Sequence, residues 1–529
     1  MKQAKGMNLK NSNIKTKPES MKKNKSRVHG SREICYLTLV SFLMVCAAIF
    51  LTFFTTRTSF QPDGKIRKQP KDQNTGFSKN KSQPVVLFWK RNLAGLDHLT
   101  HIRNVFVLLG YKVSLDLNSD WDVLWAHDYP FENPLDPSPL EWQMKNLKPH
   151  QRVNKLPGSG FVTSKVELAT SGGLGIPPAF RLPQDKFKLI EYARKNPKEK
   201  FLEKGNSHRS IRLKSIGEIN LDSTKSFVQQ FIANPLLIRG YFFDIGVYAI
   251  ITSVDPLRIY RLDNDVAFRF CNEPYEPFDP LNVEKYVIAD NYQPSYKEPV
   301  FQKYFNLSFP LKDAFDAHIR SIGGNPKLIW EQIDKQIVAA YLTQEHKFVD
   351  LLSSYKHKRN FFEMVRVDFI LDDTMKIHLI EVNMSPSLSS IGYAPNGKRF
   401  EQVAFSLLSL VGLANYLHPP HQNSEEGKEV FVADRNVMVV QESCLTCADC
   451  TKVECQLCAP CLDKDFLADI KLAYKEHMNK YRAIRIFPPR MTQEEAKLGI
   501  PEEYAKITKA NKLQYRWFQG RCRMDSSWC

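Results

Sequence analysis

Strand-like and helix-like spacings of apolar residues alternate along most of this chain. "VVLFWK" at 85–90 and "WDVLWAH" at 121–127 are apolar runs of strand length. Between them, "LDHLTHIRNVFVLLG" at 96–110 places apolar residues at helical spacing and ends on a glycine that suits a helix C-terminus. This opening predicts a small α/β unit. Pro and Gly punctuate 156–183. The stretch 227–262 is strongly β: "YFFDIGVYAIITS" and "LRIYRL" read as two strands joined at Val254-Asp255-Pro256. Residues 310–355 have a helical pattern, and "FEMVRVDFILDDTMKIHLIEVN" at 362–383 reads as a hairpin turning near Asp372-Asp373-Thr374. Farther on, "FLADIKLAYKEHMNKYRAI" at 466–484 predicts a helix whose apolar stripe is a packing face.

The second strand of the hairpin breaks its own apolar pattern with Glu381 and Asn383. Residues two apart on a strand point to one face. With the turn centred between Thr374 and Met375, Asp368 falls opposite Glu381, and directly opposed residues share a face. Two carboxylates set together are costly without a cation. Oxygen-only donors suit Mg²⁺, which binds through a few carboxylates plus substrate phosphates. Asp368, Glu381 and Asn383 are therefore candidate metal ligands; the plain alternative is an ordinary polar hairpin face.

The chain has 529 residues and a net charge of +17, unevenly spread. Residues 1–33 hold ten Lys/Arg and two acids, residues 57–84 hold seven and two, and 85–529 are left with +4. The folded part is nearly balanced, which argues against nucleic acid as its partner. Residues 34–56 form an uncharged apolar run of 23, long enough to span a hydrocarbon core. The basic leader before it predicts a signal-anchor with a cytosolic N-terminus. The expectation is a single-pass type II membrane protein, its body lumenal or extracellular, with 57–84 as a stalk. The sequon Asn306-Leu307-Ser308 is compatible with that placement.

Six cysteines between 444 and 461 are spaced CxxCxxC-x4-CxxCxxC. In a reducing compartment such spacing favours zinc or Fe–S, in an oxidising one disulfides. The topology expected above favours disulfides, with Cys522 and Cys529 as further candidates and Cys271 as the odd thiol.

Taken together, "QRVNKLPGSGFVTSKVELA" (151–169), "FVQQFIANPLLI" (227–238), "FFDIGVYAIITSVDPLRIY" (242–260) and "FEMVRVDFILDDTMKIHLIEVNMSPSL" (362–388) make the chain resemble the tubulin tyrosine ligase-like family over roughly 85–415. The resemblance implies an α/β (α+β) class with an ATP-grasp fold and a small N-terminal α/β domain. Beside it stand the expected transmembrane helix and a Cys-rich extension over 416–529. It also implies ATP and Mg²⁺, a free amino acid, glutamate above all, and a protein acceptor, tubulin. ATP phosphorylates a carboxylate in such enzymes, and an amine then attacks the acyl phosphate. Matched residue by residue, Asp368, Glu381 and Asn383 take the metal positions. Lys204 takes that of the lysine at the nucleotide phosphates. Gln229, Gln230 and Ile232 fall on the adenine segment, Asp244 on the nucleotide-binding central strand, and Arg269 and Asn291 on the catalytic positions.

The departures from the family are specific. Its central strand usually reads Lys-Phe-Asp-apolar-Arg, and Phe242 and Gly246 stand here for the lysine and arginine. After Lys204 the loop "GNSHRSI" is short and holds Gly205 alone, and Asp290 precedes Asn291 and Tyr292 where a threonine is usual. Arg239, His208 and Arg209 adjoin the altered motifs and are candidate replacements for the missing cations. Three readings remain: an active ligase, an impaired pseudo-ligase acting as a membrane-tethered nucleotide- or protein-binding module, or, following the expected topology, an ER or Golgi enzyme for secreted substrates.

Overall fold

A computed structural model describes residues 83–91, 96–132, 137–205, 211–288, 291–390, 394, 396–414, 424–439 and 442–529. The expected tail, apolar run and nearly all of the expected stalk lie outside them, as do His208, Arg209 and Asp290. Among the described residues no helix is long and apolar enough to cross a membrane.

Val85–Trp89 (β1), Lys112–Ser114 (β2), Val123–Ala126 (β3) and Arg152–Val153 (β4) form a parallel sheet in the order β2-β1-β3-β4. Helix α1 (Thr100–Leu108) lies between β1 and β2 in the chain and buries Ile102, Val105 and Phe106. Gly110, at φ 86°, takes the left-handed turn after it. A second, antiparallel sheet joins Ala179–Arg181 (β5), Phe201–Gly205 (β6), Ile211–Lys214 (β7) and Ser226–Gln230 (β8) in the order β5-β8-β6-β7.

The central sheet positions the site. It contains Leu237–Ile238 (β9), Tyr241–Val254 (β10), Leu257–Phe270 (β11), Gln293–Pro294 (β12), Glu363–Leu371 (β13), Ile377–Asn383 (β14) and Ala483–Phe487 (β15). Its main path runs β12-β11-β10-β13-β14, with β15 added on β11 and β9 on β10. β10 is mostly apolar because both of its faces are covered. Ile245, Val247, Ala249 and Ile251 join the core that includes Ile333, Ile337 and Tyr341 of helix α2 (Pro326–Leu352). Tyr248 and Ile250 join a separate core, with Val403, Ala404 and Leu407 of helix α3 (Asn396–Leu410).

The chain after 415 is built into this sheet. The helix expected over 466–484 is α4, Lys464–Asn479, and it stops early. Tyr481 has φ 46°, a conformation no helix continues through, and the next residues become β15, antiparallel to β11. Glu476 of α4 accepts from Arg258 of β11 (Nε–Oε2 2.8 Å, Nη2–Oε1 3.0 Å), Thr252 and Tyr260. Helix α5 (Lys509–Met524) adds Gln514, whose Oε1 accepts from Arg258 at 2.9 Å.

The cysteines pair as Cys444–Cys458, Cys447–Cys455, Cys450–Cys461 and Cys522–Cys529. Cys271 is buried and free, its thiol pushed up to about 12 by burial first and then by Asp244 and Glu284. Intact mass spectrometry is expected to show a gain of two hydrogens per bridge on reduction of these four. Bound zinc with free thiols at 444–461 would contradict that pairing.

Candidate functional site

The hairpin brings Asp368 opposite Glu381, but not by the turn that spacing suggests. From the turn outward the pairs are Leu371↔Ile377, Ile370↔His378 and Phe369↔Leu379, and an unbroken ladder would set Asp368 against Ile380. The register shifts after Phe369, so Ile380 is an extra residue and Asp368 meets Glu381. A bulge reverses which face the following side chains occupy. Ile377, Leu379 and Val382 all reach the core, while Glu381 and Asn383 turn to the other side.

That side carries a network of charge across four strands. Asp244 of β10 lies opposite Arg269 of β11, and Gly246 of β10 lies opposite Asp368 of β13. Arg269 grips Asp244 through both oxygens, with Nε–Oδ1 at 2.9 Å, and its Nη2 also lies 2.8 Å from Asp368 Oδ2. Asn383 Nδ2 donates to Asp368 Oδ2 at 2.9 Å. Glu381 is less enclosed, with 31% of its side chain exposed, and pairs with Lys165 at 3.2 Å. Lys204 Nζ donates to Gln229 Oε1 at 2.6 Å, and Gln229 in turn donates to the Pro177 carbonyl.

Electrostatics separate the two buried aspartates. Burial pushes Asp244 up to about 6; Arg269 opposes and Asp368 adds to the rise. Burial also raises Asp368, but Arg366 and Arg269 outweigh it and hold that carboxyl below its usual range. Lys204 is brought down to about 8, chiefly by burial, with Lys165 adding and Glu381 opposing.

The sequence-derived positions thus fall into three groups. Asp244, Arg269, Asp368 and Asn383 touch one another; Glu381 and Lys204 lie beside them around Lys165. Asn291 is exposed, next to Tyr292, whose ring lies 5.9 Å from the Arg269 guanidinium. Gln230 and Ile232 sit at the end of β8 and just after it, and Gln229, buried beneath Lys204, anchors that lysine. Arg239 pairs with Glu298 at 3.6 Å rather than with the aspartates. Phe242 is buried against Tyr275 in an aromatic cluster with Phe231 and Tyr286.

Sequence reasoning missed Arg366 and Lys165. Arg366 is two residues from Asp368 on the same strand face, the spacing already used for Glu381 and Asn383. Lys165 lies inside the quoted segment 151–169.

Among the described residues no group of three or more His, Cys, Asp and Glu side chains is gathered for a metal. The donor set here is two carboxylates and an amide, hard oxygens that suit Mg²⁺. Arg269, Arg366 and Lys165 supply the positive charge that two facing carboxylates need. The residues therefore fit a divalent ion that competes with side-chain cations.

Paired carboxylates, an amide and guanidinium groups thus share one face of a mixed α/β sheet. The chain belongs to the tubulin-tyrosine ligase family, whose pattern matches residues 143–411. It is 38% identical over 451 residues to a probable tubulin polyglutamylase, ttll-15, of Caenorhabditis elegans, covering 82% of this chain and 85% of the worm protein. It is 28% identical over 301 residues to the mouse tubulin monoglutamylase TTLL4, covering 53% of this chain and 24% of that protein. It is 26% identical over 363 residues to the mouse tubulin polyglutamylase TTLL6, covering 65% and 42%.

These relatives correct the topological expectation. They are named for tubulin, whereas a type II placement reserves the body for a lumen or the cell exterior. No described helix can span a membrane, and an apolar run of spanning length is necessary for an anchor without being enough to establish one. The type II placement is withdrawn, and the membrane with it as a partner.

Proposed function

We propose that this chain is an ATP-dependent carboxylate–amine ligase of the ATP-grasp type that adds glutamate to tubulin. The observation that carries the reading is the meeting of Asp244, Arg269, Asp368, Glu381 and Asn383 on one face of the central sheet. The similarity to a probable tubulin polyglutamylase over 82% of the chain supports the acceptor and the amino acid.

In this reading Asp368, Glu381 and Asn383 hold Mg²⁺, which when bound neutralises triphosphate charge. Lys204 faces the phosphates, held in place by Gln229. Gln230 and Ile232, with their backbone, flank the base. Asp244 fixes the Arg269 fork, so that Arg269 presents charge without having to be ordered at the moment of reaction. Asn291 lies at the rim beside Tyr292. Residues 85–415 form the ligase domain, and 416–529 brace its sheet through β15 and Glu476.

Phe242 favours a second reading. A buried phenylalanine in place of a lysine removes one cation from the phosphate side, which leaves a pseudo-ligase that binds nucleotide without turnover. Incubating the full-length chain with Mg-ATP, labelled glutamate and tubulin decides between them. ATP-dependent incorporation is expected. ATP binding without incorporation gives the pseudo-ligase, and neither binding nor incorporation contradicts both.

Lys204 gives this site a pH signature. Its ammonium loses a proton near pH 8 in the nucleotide-free chain, while a polyphosphate needs it charged. Affinity for ATP is therefore expected to fall above pH 8 by up to about tenfold per pH unit, with proton uptake on binding. Calorimetry in buffers of different ionisation heat checks this, and Lys204→Arg, which stays charged, flattens the profile. A profile equally steep in Lys204→Arg would assign the titration to another group.

A further inference from the structure

Gly246 has no backbone reason to be glycine. It lies mid-strand, and its φ is not in the left-handed region. Glycine in such a place marks a close approach by another group. A Cβ built there would lie 3.1 Å from Arg366 Cδ, 3.1 Å from Asp368 Oδ1 and 3.4 Å from Ala267 Cβ. The missing side chain is thus the space through which Arg366 passes. From the next strand, Arg366 forks onto Asp368, with Nε–Oδ1 at 2.8 Å and Nη2–Oδ2 at 3.0 Å. Position 246 is also where the family resemblance expects an arginine facing phosphate or substrate.

We propose that Arg366 supplies from β13 the guanidinium missing at Gly246, and that it binds the phosphate oxygens of the nucleoside triphosphate. The proposal rests on the nucleotide reading above. Geometry supports it in three ways. Arg366 and Asp368 share one strand face. Gly246 is directly opposite Asp368, so an arginine rooted at either strand reaches the same carboxylate. Arg269 is shared between Asp244 and Asp368, whereas the Arg366 fork goes to Asp368, so Arg366 is the guanidinium that an incoming anion beside Asp368 can engage. An arginine at 246 and one at 366 would also compete for one volume, so the chain can carry only one of them without displacement.

The test is a swap, read by calorimetry of ATP and of adenosine on the full-length chain. Arg366→Gly is expected to weaken ATP by roughly 10- to 100-fold, the worth of a charge-assisted hydrogen bond, and to leave adenosine unchanged. Gly246→Arg alone also weakens ATP, because it collides with Arg366. The double variant G246R/R366G recovers ATP affinity to within a few-fold of wild type. If Arg366→Gly fails to fold, Arg366→Met, which keeps the stem over Gly246, is expected to show the same loss. An unchanged ATP-to-adenosine ratio in a folded Arg366 variant overturns the proposal while the nucleotide reading stands. So does a double variant that melts like wild type yet binds ATP no better than Arg366→Gly. A wild-type chain that binds ATP no more tightly than adenosine overturns both.

Discussion

Glu381→Gln is expected to reduce glutamate incorporation by at least about 10²–10³-fold, the usual scale for removing one group that stabilises developing charge. The change conserves shape and takes away one carboxylate charge. Its effect on stability is small, because the Lys165–Glu381 pair is part-exposed on both sides (38% and 31%) and such pairs contribute only about 0–1 kcal/mol. Activity and stability therefore separate at this residue. Asp368 is a poorer probe, since it is buried between Arg269 and Arg366 and its removal strands the Arg366 fork and takes away one of the two carboxylates that Arg269 pairs with. The checks are the rate of labelled glutamate incorporation and a thermal melt on the same preparations. Equal rates in wild type and Glu381→Gln would make the carboxylate a structural partner of Lys165 and nothing more.

The largest stability effect is expected far from the site. Arg258 is 1% exposed, and its ion-pair partner is the Glu476 carboxylate. Removing one member of a buried ion pair leaves the other uncompensated and costs about 3–5 kcal/mol. Glu476→Ala should lose that much in chemical denaturation, with Thr252 and Tyr260 also losing their acceptor. The double change Arg258→Met/Glu476→Leu should recover most of it, because well-packed apolar residues replace buried ion pairs at little cost. A neutral Glu476→Ala would mean that α4 is not held on β11, and that the C-terminal region does not brace the sheet.

Alternation and spacing gave the hairpin, the long antiparallel pair β10–β11 and the shared face of Glu381 and Asn383. The Asp368–Glu381 pairing was legible for an incomplete reason. It needs a bulge at Ile380, and no residue there signals one, because isoleucine is at home in a regular strand. Only the first two residues of β15 fall within the helical pattern of 466–484, and Tyr481 interrupts that pattern by adopting a left-handed backbone. Arg366 is not adjacent in sequence to any of the altered motifs, so nothing along the chain marks it as a replacement. The neighbour that fills the space above Gly246 is 120 residues away along the chain and one strand away in the sheet.

The most direct test uses Mn²⁺ in place of Mg²⁺, since both take hard oxygen ligands. Electron paramagnetic resonance of the full-length chain with Mn²⁺ and ATP should show one bound ion with phosphorus coupling, lost in Glu381→Gln and weakened in Asn383→Ala. The same signal at the same affinity in Glu381→Gln would contradict the assignment of these strand residues to the metal–nucleotide site.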